Sequence, residues 1–253
     1  METYYYKTLT DDLIDSKDQN FKLSDDYQLL PTSIGAKIWN PIARYLAAGF
    51  GWIYSRLFLH VQVVDKKKLK AFKDTGYFVY GNHTQPMGDV FTPLTIFPVK
   101  NFYAIAGQAN WGIPFIGKYL VRYGGLPVGS DIKQAGKLVK AVQEVIKNKH
   151  GVVMIYPEAH VWPYYTKIRP FADTSMHFPI KLNAPSFTAT STYVKSSFYK
   201  RPKIIVYIDG PFFPDKTLSK KQAQEKLHNQ IWDSLNEHAK LSNYNYIRYE
   251  CKK

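Results

Sequence analysis

Residues 77–91 read YFVYGNHTQPMGDVF. The first four are apolar or aromatic and the run stops at Gly81-Asn82, the pattern of a short strand buried on both faces and closed by a turn. His83 follows at the strand exit, and Asp89 stands six positions on, where the next helix should start. In open α/β sheets the groups that handle ligands gather at the carboxyl ends of strands. A histidine there, its tautomer set by a carboxylate, is suited to take a proton from a hydroxyl. A His and an Asp a few residues apart also occur as an ordinary loop bonded to a helix cap. The pair gains its meaning from the rest of the chain.

A second strand exit lies downstream. Residues 152–161 read VVMIYPEAHV, a buried strand halted by Pro157, with Glu158 and His160 just beyond it. Two such exits can converge on one cleft. Between them, residues 131–149 carry Ile132, Ala135, Leu138, Val139, Val142, Val145 and Ile146 at helical spacing, with lysines opposite and Asp131 as N-cap. Further strands are expected at 60–64, 102–106, 186–194 and 203–208. A basic turn-helix is expected at 65–74, partial helix at 111–123, and a last helix opened by a capping box from Ser219 to Gln222. Strands alternating with helices predict an α/β fold, a central mixed sheet flanked by helices. An apolar helical region precedes it at 33–59, with breaks expected near Pro41 and at Gly49 and Gly51. The expected division is 1–59, an acidic arm plus a membrane-associating helical region, and 60–253, the catalytic domain.

The charge is uneven. The whole chain carries +14, yet residues 1–30 hold Glu2, Asp11, Asp12, Asp15, Asp18, Asp25 and Asp26 against Lys7, Lys17 and Lys22. Residues 1–30 are expected to be a poorly ordered arm or a loosely docked cap. The basic body prefers anionic partners: anionic lipid, a phosphorylated substrate or nucleic acid. No nucleic-acid motif or compact basic-aromatic stripe is present, so no nucleic acid is expected. No G-x-S-x-G elbow occurs, which argues against a serine hydrolase. The single cysteine, Cys251, allows no internal disulfide, and no Cys/His set has zinc spacing, so no metal is expected. The first 30 residues lack signal-peptide character. Residues 45–59, YLAAGFGWIYSRLFL, are too short and too charged to span a bilayer. With Trp39, Trp52 and Tyr54 they could lie in its interface, or pack as a buried helix.

In this order the pieces resemble the glycerophospholipid acyltransferase family, of the bacterial 1-acyl-sn-glycerol-3-phosphate acyltransferase type. Its NHxxxxD motif is similar to Asn82-His83…Asp89, and its FPEGTR motif to residues 156–161, YPEAHV. Its glycine-apolar-Arg motif resembles residues 125–130, GLPVGS, and its closing apolar proline strand resembles 184–187, APSF. The resemblance covers about residues 60–210. Two departures stand out. Five residues, not four, separate His83 from Asp89, and the family's arginines are replaced by Ser130 and Val161.

The resemblance implies direct acyl transfer, with His83 as general base and Asp89 holding it. Backbone N–H groups at the 82–84 turn or the following helix start would bind the oxyanion. Asn82, Glu158 and His160 would contact substrate, and Lys167 and Arg169 would replace the missing cations, since a guanidinium binds phosphate in bidentate fashion. It implies no cofactor. The donor would be an acyl thioester on coenzyme A or acyl carrier protein, the acceptor a membrane lipid, and the location peripheral, on the cytoplasmic face. The altered spacing leaves a second reading, a lipid-binding protein of the same fold without activity.

Overall fold

The computed structural model describes residues 2–14, 21–24, 26–115 and 117–252. Asp15, Lys17, Asp18 and Asp25 of the acidic arm lie outside the described residues. In chain order the regular elements are β1 (Glu2–Tyr6), α1 (Ile34–Ile53), β2 (Gln62–Val64), β3 (Tyr77–Gly81), α2 (Gly88–Ile96), β4 (Phe102–Gly107) and β5 (Gly125–Val128). Then come α3 (Ile132–Lys147), β6 (Val152–Ile155), α4 (His177–Leu182), β7 (Ser186–Val194), β8 (Lys203–Phe212), α5 (Lys220–Ala239) and β9 (Ile247–Cys251). Single 3-10 turns fill several of the connections.

Seven strands form one sheet in the order β2-β8-β7-β3-β6-β4-β5, mixed because β8 runs antiparallel to β7. β3 lies at its centre, parallel to β6 on one side and β7 on the other. That position explains the unbroken apolar run of β3. A strand covered on both faces has no solvent side to make polar. Its side chains alternate between two cores. Phe78 and Tyr80 join Val142, Val145, Leu227 and Ile231 beneath α3 and α5, while Tyr77 and Val79 join Leu94, Phe97 and Phe187 on the α2 face. Fully burying each of these rings and branched chains stabilises the fold by roughly 1.5–3 kcal/mol.

α1 is a single helix through Pro41, Gly49 and Gly51, where breaks were expected. Ser33 caps its start by accepting from Ala36 N. Gly51 is where α1 meets α2: a Cβ there would stand 3.0 Å from the Phe91 carbonyl oxygen. Arg44 points inward from α1 and donates to the carbonyls of Lys100, Phe102 and Arg122. Its guanidinium also lies over the Tyr103 ring, so α1 is fastened to the sheet that follows it. Among the described residues no helix is long and apolar enough to cross a membrane.

The start of the arm is a strand, not a loose segment. β1 pairs parallel with β9 at the other end of the chain, Glu2 opposite Ile247 and Tyr6 opposite Cys251. This small sheet stacks its aromatic rings over the loop after β6: Tyr6 and Tyr249 both pack on Trp162.

Candidate active site

His83 leaves the carboxyl end of β3, and its Nδ1 lies 2.8 Å from Asp89 Oδ2. The same carboxylate oxygen accepts the backbone N–H groups of Thr84 and Gln85, each at 2.9 Å. Asp89 sits in the first turn of α2 with its side chain 6% exposed. A carboxylate so placed makes Nδ1 the proton-bearing nitrogen and leaves Nε2 with its lone pair, the tautomer a general base requires. The His83 ring keeps 21% of its surface, enough for a substrate to reach it.

The extra residue between them is taken up locally. Pro86 and Met87 form a turn, and Asp89 N–H donates to the Gln85 carbonyl at 2.9 Å. Gly88 has no room for a side chain, since a Cβ would lie 2.8 Å from Gln85 Cβ. Five intervening residues therefore bring Asp89 onto the imidazole.

The second strand exit supports the first from behind. Glu158 Oε2 accepts His83 N–H at 3.0 Å, and Oε1 accepts Arg169 N–H at 2.7 Å. The Arg169 guanidinium approaches Glu158 Oε2 at 3.3 Å and also donates to the His160 carbonyl. Burial pushes the Glu158 carboxyl above the usual carboxylate range, and Arg169 and the two N–H donors act against that. Trp162 N–H donates to the His83 carbonyl at 3.0 Å, and Tyr164 N–H donates to that of Thr84 at 2.8 Å. The loop after β6 thus grips the loop after β3 through its backbone.

These contacts change the expected roles. Arg169 is buried against Glu158 and the Trp162 ring, so it is a brace and not a surface cation for phosphate. Glu158 is buried with it, and its carboxylate is taken up by the backbone N–H groups of His83 and Arg169. Asn82 is turned into the sheet, its side chain exchanging hydrogen bonds with Ser191 O and Ser191 N at 2.9 and 2.8 Å. His160 is partly exposed and faces Asp12 of the arm, Nδ1 to Oδ2 at 3.2 Å. Lys167 is exposed. The N–H groups of His83 and Thr84 are already engaged by Glu158 and Asp89, so the 82–84 turn does not offer them to an oxyanion.

Several site residues were not singled out in the sequence. Tyr156 stacks on the His83 ring, centroids 4.5 Å apart and planes 17° apart, and its hydroxyl donates to the Asp89 carbonyl at 2.8 Å. Tyr193 donates to Thr84 Oγ1 at 2.6 Å and accepts from Gln85 Nε2 at 3.0 Å. Tyr156 could have been noticed as the residue just before Pro157-Glu158. Nothing in the sequence marks Tyr193, which comes from a strand far along the chain. Among the described residues no three His, Cys, Asp or Glu side chains are grouped to hold a metal ion.

The chain matches no family profile and no curated protein. A solved structure is similar: the 1-acyl-sn-glycerophosphate (LPA) acyltransferase PlsC from Thermotoga maritima, with a TM-score of 0.58 over 81% of this chain and 83% of that one. The chain has the fold of that acyltransferase. At 19% identity the likeness speaks for the architecture, and the chemistry rests on the residues above.

Proposed function

We propose that the protein is an O-acyltransferase that works at a membrane surface, moving a fatty acyl chain from a thioester to a hydroxyl of a lysophospholipid or related lipid. The observation that carries this reading is the His83–Asp89 pair, held at the carboxyl end of the central strand with Nε2 left as base. His83 Nε2 takes the proton of the acceptor hydroxyl as the oxygen bonds to the thioester carbonyl carbon. The carbon–sulfur bond then breaks, and the imidazolium returns the proton to the leaving thiolate. Asp89 stabilises the imidazolium in between. Coenzyme A or acyl carrier protein would carry the donor.

The surface beside the site suits a lipid substrate. α1 leaves Ile34 79% and Leu46 71% exposed, with Trp39, Phe50 and Trp52 also outward. Residues 34–59 contain no acidic side chain. An apolar helix flanked by cations and tryptophans lies in a bilayer interface without spanning it. Met87 and Val90, on either side of Asp89 in the sequence, are exposed as well.

The test is acyl transfer from radiolabelled acyl-coenzyme A or acyl carrier protein to a panel of lyso-lipids. The wild type should form acylated lipid, and His83→Ala should form at least ~100-fold less. Equal product from both proteins, or none with any pair of substrates, would overturn the mechanism.

A further inference from the structure

The loop between β7 and β8 has a composition that the fold does not explain. Residues 195–202 read KSSFYKRP, with three cations, Lys195, Lys200 and Arg201, and no acid. Phe198 is 90% exposed, and Tyr199, Lys200 and Arg201 are exposed beside it. Exposing a phenylalanine to this degree, on a loop that could carry any polar residue, gains nothing for the folded chain by itself.

Its position gives the reason. β7 is parallel to β3, so the loop after Val194 leaves the sheet at the same edge as His83. The Tyr199 ring stacks on His60, centroids 3.7 Å apart and planes 17° apart. His60 follows the helical turn at Tyr54–Phe58 after the buried Leu59; in that turn Leu57 and Phe58 are exposed, and Arg56 is the adjoining cation. Exposed apolar groups therefore flank this ring stack, Leu57 and Phe58 on the side that leads back to α1 and Phe198 on the loop.

We infer that residues 195–201 form a second membrane contact, specific for anionic lipid, which with α1 seats the His83 edge of the sheet on the bilayer. This rests on the proposed reading that the enzyme works at a membrane. Aromatic rings with lysine and arginine on one short loop fit the headgroup layer, the rings at the acyl boundary and the cations among lipid phosphates. The exposed apolar residues of α1 and of the turn that follows it favour a bilayer over a nucleic acid, which would leave them uncovered.

The experiment uses the full chain and vesicles of phosphatidylcholine, alone or with phosphatidylglycerol. Wild type should bind the anionic vesicles more tightly. Lys200→Gln with Arg201→Gln should weaken that binding roughly 25-fold, about fivefold for each cation, and leave binding to pure phosphatidylcholine nearly unchanged. Leu46→Asp, on α1, should weaken both. A polarity-sensitive dye on Ser197→Cys, in a Cys251→Ser background, should shift to the blue on anionic vesicles. Loop variants that bind like the wild type, or a dye that does not shift while Leu46→Asp abolishes binding, would overturn the loop contact and leave the α1 reading standing. Binding insensitive to Leu46→Asp but lost in the loop variants would uphold the loop contact and overturn α1 as an anchor. Wild type that binds neither vesicle would overturn both.

Discussion

Two residues behind His83 show how single positions set the site. Ala159 has φ 65, in the left-handed region that a Cβ disfavours by roughly 1–2 kcal/mol. Its backbone turn lets Glu158 reach back to His83 N–H. Ala159→Gly relieves that strain but adds freedom to the unfolded chain, so the expected net gain is up to ~1 kcal/mol, read from denaturant midpoints. Glu158 makes the opposite case. Glu158→Gln keeps the shape but leaves the buried Arg169 guanidinium without its counter-charge, an expected loss of roughly 3–5 kcal/mol. Acyl transfer should fall as well, because one anchor of the His83 backbone weakens. A Glu158→Gln protein as stable and active as the wild type would show that the pair is not a brace.

At the scale of elements, the strands and helices legible in the sequence are those whose pattern is local. α3 runs from Ile132 with Asp131 accepting from Gln134 N, and α5 starts in the full Ser219–Gln222 capping box. Both follow from helical spacing and cap chemistry within a few residues. α1 departs from expectation because packing outweighs propensity. Arg44 and the Gly51–Phe91 contact fasten the helix, which continues unbroken past Pro41 and its glycines. Gly76 shows the reverse, a small residue required by the tertiary fold. A Cβ there would stand 2.1 Å from the Ile146 carbonyl oxygen, backbone that cannot move aside. Gly76→Ala should therefore displace the start of β3 and cost roughly 1–3 kcal/mol, seen as a lower denaturant midpoint.

Across the whole molecule, the β1–β9 pair supports the site from outside, through Trp162. β1 and β9 hold their tyrosines on Trp162, and Trp162 N–H holds the His83 carbonyl. Deleting residues 1–7 uncovers Trp162 and Tyr249. Losing the half-buried Tyr4 and Tyr6 should cost roughly 3 kcal/mol, and each kcal/mol lowers the thermal midpoint of a chain this size by roughly 2–4 °C. Transfer activity should fall with it; an unchanged midpoint would show that the strand pair is ornamental to the fold. The sequence by itself determined the central strand, the His83–Asp89 pair at its exit and the α/β alternation, because burial period, turn residues and caps are written within a few positions. Only the tertiary structure decided that Glu158 and Arg169 face each other, that Tyr156 covers the imidazole and that Tyr193 secures Thr84. Those contacts join residues far apart in the chain, and a buried ion pair has the same letters as two surface charges until the fold removes the water between them.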